Sequence, residues 1–141
     1  MGRILSIDYG KKRTGLAVSD PLQLIAGGLA TVATHELFDY LRQYVEHEPV
    51  ERIVIGEPRQ PNGQPSENLE RVRQFVNRWR KHMPDIPIDY YDERYTSVLA
   101  HQAMLAGGLR KKARQNKALV DEISATILLE DYMRSRSRPL N

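Results

Sequence analysis

Residues 3–9, Arg-Ile-Leu-Ser-Ile-Asp-Tyr, carry apolar side chains on nearly consecutive positions, which predicts a strand inside a sheet. Residues 10–13 read as a turn and 14–18 as a second strand, so the two form a hairpin. Gly27 and Gly28 punctuate the chain before a third strand over 29–34. From His35 the period changes: Leu37, Phe38, Leu41, Tyr44 and Val45 recur at helical spacing until Pro49 ends the helix. Residues 52–56 are a short β-branched strand, and 57–65, with three prolines and Asn62-Gly63, form a loop. Ser66 then caps a helix whose apolar face is Leu69, Val72, Phe75, Val76 and Trp79. A strand follows over 86–91 and a helix over 96–106. Residues 107–117 make a polar basic loop, 119–133 a last helix, and 134–141 a flexible tail.

Three hairpin-like strands followed by helix-linked crossovers imply an α/β fold with a five-stranded mixed sheet and flanking helices. The first strand is expected at its centre. Such sheets bind ligands off the carboxyl ends of their strands. Asp8, Glu57 and the pair Asp92-Glu93 each stand at such an end. That shared placement singles out these acids.

With 141 residues and no dividing linker, the chain is expected to be a single domain over 1–141. It has no cysteine, which excludes disulfides and thiolate metal sites. No secretory leader pattern is seen, and no apolar run approaches the ~20 residues of a membrane span, so a cytoplasmic location away from membranes is expected. The net charge of +3 is small, but basic residues cluster at 11–13, 71–81, 110–117 and 134–138, a distribution that favours a polyanionic partner.

Two carboxylates ~4 Å apart repel by roughly 4 kcal/mol at an effective dielectric near 20, so an acidic cluster stays ionised only beside cations. All-oxygen ligands select hard ions, Mg²⁺ or Mn²⁺. A pair of such ions can activate water and stabilise the leaving oxygen in phosphodiester hydrolysis. Asp8 is placed to bridge two such ions, with Glu93 and Asp121 each holding the other side. Asp121 begins an apolar helix whose Ser124, Ala125 and Leu128 share its face, small enough at two positions for close approach to the sheet. The same acid would also suit the first turn of any helix. Glu122 is expected to face elsewhere, in solvent. At Asp92-Glu93 strand alternation turns one acid to the site and the other away. Lys11, Lys12 and Arg13, between Gly10 and Gly15, can clamp phosphate, and Arg94 can do the same or pair with a neighbouring acid. The loop cations Arg110, Lys111, Lys112, Arg114 and Lys117 complete the expected nucleic-acid contacts.

The stretches Ile-Asp8-Tyr-Gly-Lys-Lys-Arg-Thr-Gly-Leu-Ala-Val-Ser, Val-Ile-Gly56-Glu-Pro, Asp92-Glu-Arg-Tyr-Thr-Ser and Val120-Asp-Glu-Ile-Ser-Ala, in this order over nearly the whole chain, resemble the YqgF family, also called RuvX. The resemblance implies an RNase H-like fold with an acidic metal site formed by Asp8, Glu93 and Asp121. It implies nuclease activity in processing the 5′ end of precursor 16S rRNA, hence a role in ribosome biogenesis, with resolution of branched DNA such as Holliday junctions as the alternative. Many members have leucine at the position of Glu57, whereas related RuvC resolvases carry an acid at the corresponding strand end, which implies Glu57 as an extra metal ligand or a competitor of Glu93, the alternative being that it points into solvent at the start of the loop.

Two other readings stay open on the residues. An Asp-x-Gly strand followed by a basic hairpin also occurs in sugar-kinase and actin-like ATPases, although those need two lobes to enclose the nucleotide. A ribosome-maturation factor that binds nucleic acid without cleaving it would keep the basic loop. A resolvase needs two sites and hence a dimer, while RNA processing can work with a monomer, so the expected assembly is a monomer or weak homodimer.

Overall fold

The computed structural model of the chain describes residues 2–58, 67–92 and 117–137. Its strands are β1 (Arg3–Asp8), β2 (Arg13–Ser19), β3 (Ala26–Ala33), β4 (Val50–Glu57) and β5 (Ile88–Asp92). They form one five-stranded sheet in the order β3-β2-β1-β4-β5. The pairs β1–β2 and β2–β3 are antiparallel, and β1–β4 and β4–β5 are parallel. The mixed sheet and the central first strand match the pattern of the sequence. Helices α1 (Leu37–His47) and α2 (Leu69–His82) lie on one face, and α3 (Lys117–Ser137) on the other.

Alternation along the central strand feeds both layers. Leu5 and Ile7 point to the α1/α2 side, where they meet Leu37, Leu41, Val76 and Trp79, all fully buried. Ile4 points the other way, into a smaller cluster with Ala17, Val54, Ala125, Leu129 and Tyr132. This division explains why residues 3–9 read as an unbroken apolar run rather than an alternating one.

Several boundaries differ from the sequence expectation. Strand β3 begins at Ala26 and runs through Gly27 and Gly28, because hydrogen bonding to β2 continues across both glycines. A 3-10 turn over Thr34–Glu36 precedes α1. The expected cap Ser66 lies outside the described residues, and α2 starts at Leu69 after Asn68, whose side-chain nitrogen donates to the Tyr9 carbonyl at 2.8 Å. The last helix continues to Ser137, so residues 134–137 belong to it and not to a flexible tail. Arg134 pairs with Asp131 one turn earlier at 3.5 Å, and basic side chains in the last turn suit the helix dipole. The expected helix over 96–106 lies outside the described residues. Among the described residues no helix is long and apolar enough to cross a membrane.

The turn between β2 and β3 is organised by one carboxylate. Asp20 accepts the backbone N–H of Leu24 and Ile25, each at 2.7 Å, and that of Leu22 at 3.2 Å. Gln23 takes a left-handed φ of 59° at the tip. The Ile25 N–H, followed by the other turn amides, holds the Asp20 pKa below its ordinary value despite an opposing desolvation. A carboxylate with a depressed folded pKa stabilises above its unfolded pKa, and that contribution disappears as pH falls through the folded value. Asp20→Ala should therefore be less stable than the parent at pH 7. Thermal melts should show the gap closing as pH drops below about 4, the ordinary carboxylate range. A gap of constant size down to pH 2 would exclude this role.

Candidate active site

Asp8 closes β1 and lies directly opposite Gly15 of β2. Residues opposed in an antiparallel pair share a face, so the Asp8 side chain and the missing side chain of Gly15 point the same way, toward α3. A Cβ placed on Gly15 would stand 2.1 Å from the Asp121 carbonyl oxygen and 3.0 Å from the Asp121 Cβ. The first turns of α3 therefore rest on the sheet at this position, and only glycine permits it. Asp121 is thereby held one strand away from Asp8. Ser6, two residues before Asp8 on the same face, donates its hydroxyl to the Ala125 carbonyl at 2.7 Å, a second tether one helical turn on. Ser124, Ala125 and Leu128 are all buried, in keeping with the small face read from the sequence.

Arg13 of the basic turn reaches the same point. Its Nε donates to Asp121 Oδ2 at 3.0 Å. With side-chain exposures of 43% and 25%, the pair is partly solvated, and its contribution falls in the range of about 0–1 kcal/mol. The turn itself is pinned from the other side. A Cβ on Gly10 would meet the Arg13 carbonyl at 2.1 Å, and Thr34 donates its hydroxyl to the Gly10 carbonyl at 2.7 Å and its N–H to the Lys12 carbonyl at 2.9 Å. Lys11 and Lys12 stay exposed at its tip.

Glu57 and Asp92 stand opposite each other at the ends of β4 and β5, but their parity differs from that of Asp8. Glu57 follows Ile55 by two residues and Asp92 follows Tyr90 by two, and both predecessors belong to the α1/α2 side. Burial raises the Tyr90 hydroxyl pKa, Arg80 and Arg73 oppose the rise, and the Glu57 carboxylate adds to it. The direct neighbours of these acids, Gly56 and Tyr91, occupy the α3 side, where the Tyr91 hydroxyl meets Asp131 at 2.5 Å. Glu57 is thus placed on the face away from Asp8 and Asp121. Glu122, expected in solvent, is half-buried over Gly28, where a Cβ would come within 3.4 Å of its Oε2.

Glu93, Arg94, Arg110, Lys111, Lys112 and Arg114 lie outside the described residues, and Lys117 is described only as the first backbone position of α3. Among the described residues no group of three or more histidine, cysteine, aspartate or glutamate side chains converges. What is brought together is a pair of acids, Asp8 and Asp121, with one guanidinium. Their oxygen-only donor set suits a hard divalent ion. The Arg13–Asp121 contact joins residues 108 positions apart and had no signal in the sequence.

A five-stranded mixed sheet with its first strand central, carrying an acid at the carboxyl end of that strand and another on the covering helix, defines an RNase H-like α/β protein. In agreement, the structure of T. thermophilus RuvC in complex with a Holliday junction substrate superposes with a TM-score of 0.58, covering 99% of this chain and 100% of that one at 19% identity. The family model described as "RuvX: Holliday junction resolvase" matches residues 2–135, and the chain belongs to the RuvX family. A relative from Phocaeicola vulgatus, named "Putative pre-16S rRNA nuclease", is 65% identical over 96% of this chain and 98% of its own length. Relatives of the same name from Bacteroides fragilis (59% identical, covering 96% of this chain and 99% of theirs) and Parabacteroides distasonis (55%, covering 99% and 100%) extend the match.

The seat of α3 on Gly15 can be tested sterically. Gly15→Ala should lower stability by about 1–3 kcal/mol, the usual range for overpacking. It should also break the Arg13–Asp121 contact as the helix lifts. Urea denaturation gives the first quantity. An alanine variant as stable as the parent would show that α3 does not rest there.

Proposed function

We propose that the chain is a divalent-metal-dependent endonuclease that hydrolyses phosphodiester bonds in precursor 16S rRNA, acting in the cytoplasm during ribosome biogenesis. The observation that carries this reading is the juxtaposition of Asp8 and Asp121 on one face at the carboxyl end of the sheet. Names of full-length relatives at up to 65% identity support the substrate. The third acid in this proposal is Glu93. Asp92, opposite Glu57 at the end of β5, has the wrong parity for this face, and the family resemblance carries the role to Glu93.

Asp8, Glu93 and Asp121 would hold Mg²⁺ or Mn²⁺, which when bound supplies Lewis acidity and a nucleophilic water near neutral pH. The chain's own residues do the rest. Asp8, at the end of the central strand and paired with Gly15 of β2, would set the position of the reacting phosphate. Arg13 neutralises Asp121 and, with Lys11 and Lys12, presents cations where a polyanion approaches. Arg94, Arg110, Lys111, Lys112, Arg114 and Lys117 are assigned as further nucleic-acid contacts. Branched DNA is the second substrate reading, supported by the description of the family itself. That reading requires paired sites and hence a homodimer, whereas the rRNA reading is met by a monomer.

Asp8→Asn removes one charge with little change of size and should reduce cleavage of precursor 16S rRNA at least about 100-fold in Mg²⁺ or Mn²⁺, as should Glu93→Gln. Cleavage by Asp8→Asn at the parental rate would reject the site, and binding without cleavage under either metal would make the protein a non-catalytic factor. Faster cleavage of four-way junctions than of precursor rRNA would select the DNA reading. Neutralising Lys111, Lys112 and Arg114 together should weaken substrate binding and flatten the salt dependence of its logarithm by about 2, at roughly 0.7 per single-strand phosphate contact. An unchanged slope would remove this loop from the interface.

A further inference from the structure

On the face opposite Asp121, a groove of about 470 Å³ opens between the basic turn, the start of α1 and α2. Its floor is aromatic. Tyr9, the residue after Asp8, packs on Phe75 at 5.9 Å between ring centroids, and Phe75 meets Phe38 edge-on at 6.4 Å. Its walls are cationic. Lys11 comes from the turn, and Arg71 and Arg78 come from one face of α2, about two turns apart. The Arg78 guanidinium lies 4.0 Å over the Phe38 ring. Burial raises the Tyr9 hydroxyl pKa and the charge of Arg71 opposes that rise, which places this arginine beside the ring.

None of these three cations enters an ion pair among the described residues, and no described carboxylate lines the groove. Three like charges that the described residues leave without a counter-charge favour an anion between them. Cations along the walls and ring faces on the floor are the combination that holds single-stranded nucleic acid, phosphates on the former and bases on the latter. The volume falls in the small-ligand range of about 300–1,000 Å³, the scale of a nucleotide or two. The position matters as much as the chemistry. Asp8 and Tyr9 are consecutive, so strand alternation sends the acid to one face and the ring to the other across a single edge of the sheet.

We propose that this groove holds the single-stranded segment of the RNA next to the cleaved bond, so that the strand crosses the carboxyl edge of the sheet between Asp8 and Tyr9. The assignment rests on the nuclease reading above and adds where the substrate runs and that its flank must be unpaired. It assigns Arg71 and Arg78 as substrate-binding residues.

The test is binding by the whole chain without added metal, followed by anisotropy of a labelled single-stranded RNA and of a blunt RNA duplex. Arg71→Gln/Arg78→Gln should weaken single-strand binding about 10-fold near 100 mM salt and reduce its salt slope by about 1.4, for two single-strand contacts. Duplex binding should change far less. Arg71→Lys/Arg78→Lys, which keeps the charges, should recover most of the affinity. Should the double variant fold poorly, Arg71→Gln alone, which leaves the Arg78–Phe38 contact in place, should give about a 3-fold loss. Unchanged affinity and slope, or an equal loss on the duplex, would overturn the proposal. Because metal-dependent cleavage by Asp8→Asn is read separately, failure of the groove and failure of the nuclease reading give different results.

Discussion

The contact on which the rest of the molecule depends is the seating of the α3 backbone on Gly15. The Asp121 carbonyl occupies the space a side chain would fill, so α3 approaches the sheet as closely as main chain can. Because Gly15 is the register partner of Asp8, the same contact sets the spacing of the two acids. Arg13, which donates to Asp121 Oδ2, is only a partly solvated aid to it. Ser6 binds the Ala125 carbonyl, and the apolar cluster of Ile4, Ala17, Val54, Leu129 and Tyr132 holds the rest of the helix down. Farther along, Arg52 pairs with Asp89, which also accepts the Tyr132 hydroxyl at 3.2 Å, and Asp131 accepts that of Tyr91. Apolar packing thus does the positioning, and the polar residues occupy places it has already set.

Strand parity distributes the chemistry between two faces. On the α3 side stand Asp8 and Asp121, with the Arg13 guanidinium bound to Asp121. On the α1/α2 side stand Tyr9, Glu57 and Asp92, with Arg71 and Arg78 projecting from α2. The carboxyl edge of the sheet is therefore two-sided. The basic turn at residues 10–13 bridges both sides, giving Arg13 to one and Lys11 to the other, and its fixed shape comes from Gly10 and from the bonds to Thr34.

Much of this was legible beforehand. The apolar run of β1, the hairpin, the periods of α1 and α2, and the small face of α3 at Ser124 and Ala125 are local patterns, and local sterics and periodicity write them into the sequence. Strand ends were less so. Hydrogen bonding to β2 carried β3 back over Gly27 and Gly28, and the glycines there looked like punctuation. Asp8 was recognisable because an acid ending an apolar strand needs a reason. Glu57 fitted the same description equally well, and one residue of parity places it on the other face.

From residues 3–9 alone a strand inside a sheet, ending in an acid, could be inferred; the order of the elements gave its central place, and with the later motifs the family followed. Those features depend on neighbours in sequence, whose spacing is set by covalent geometry. The partnership of Asp8 with Asp121, the Arg13–Asp121 pair and the groove that joins Tyr9 to Arg71 and Arg78 belong to the tertiary structure. Each unites segments that only sheet register and helix docking bring together. No periodicity encodes which face a distant side chain will share, because that is decided by how two apolar layers close around one sheet.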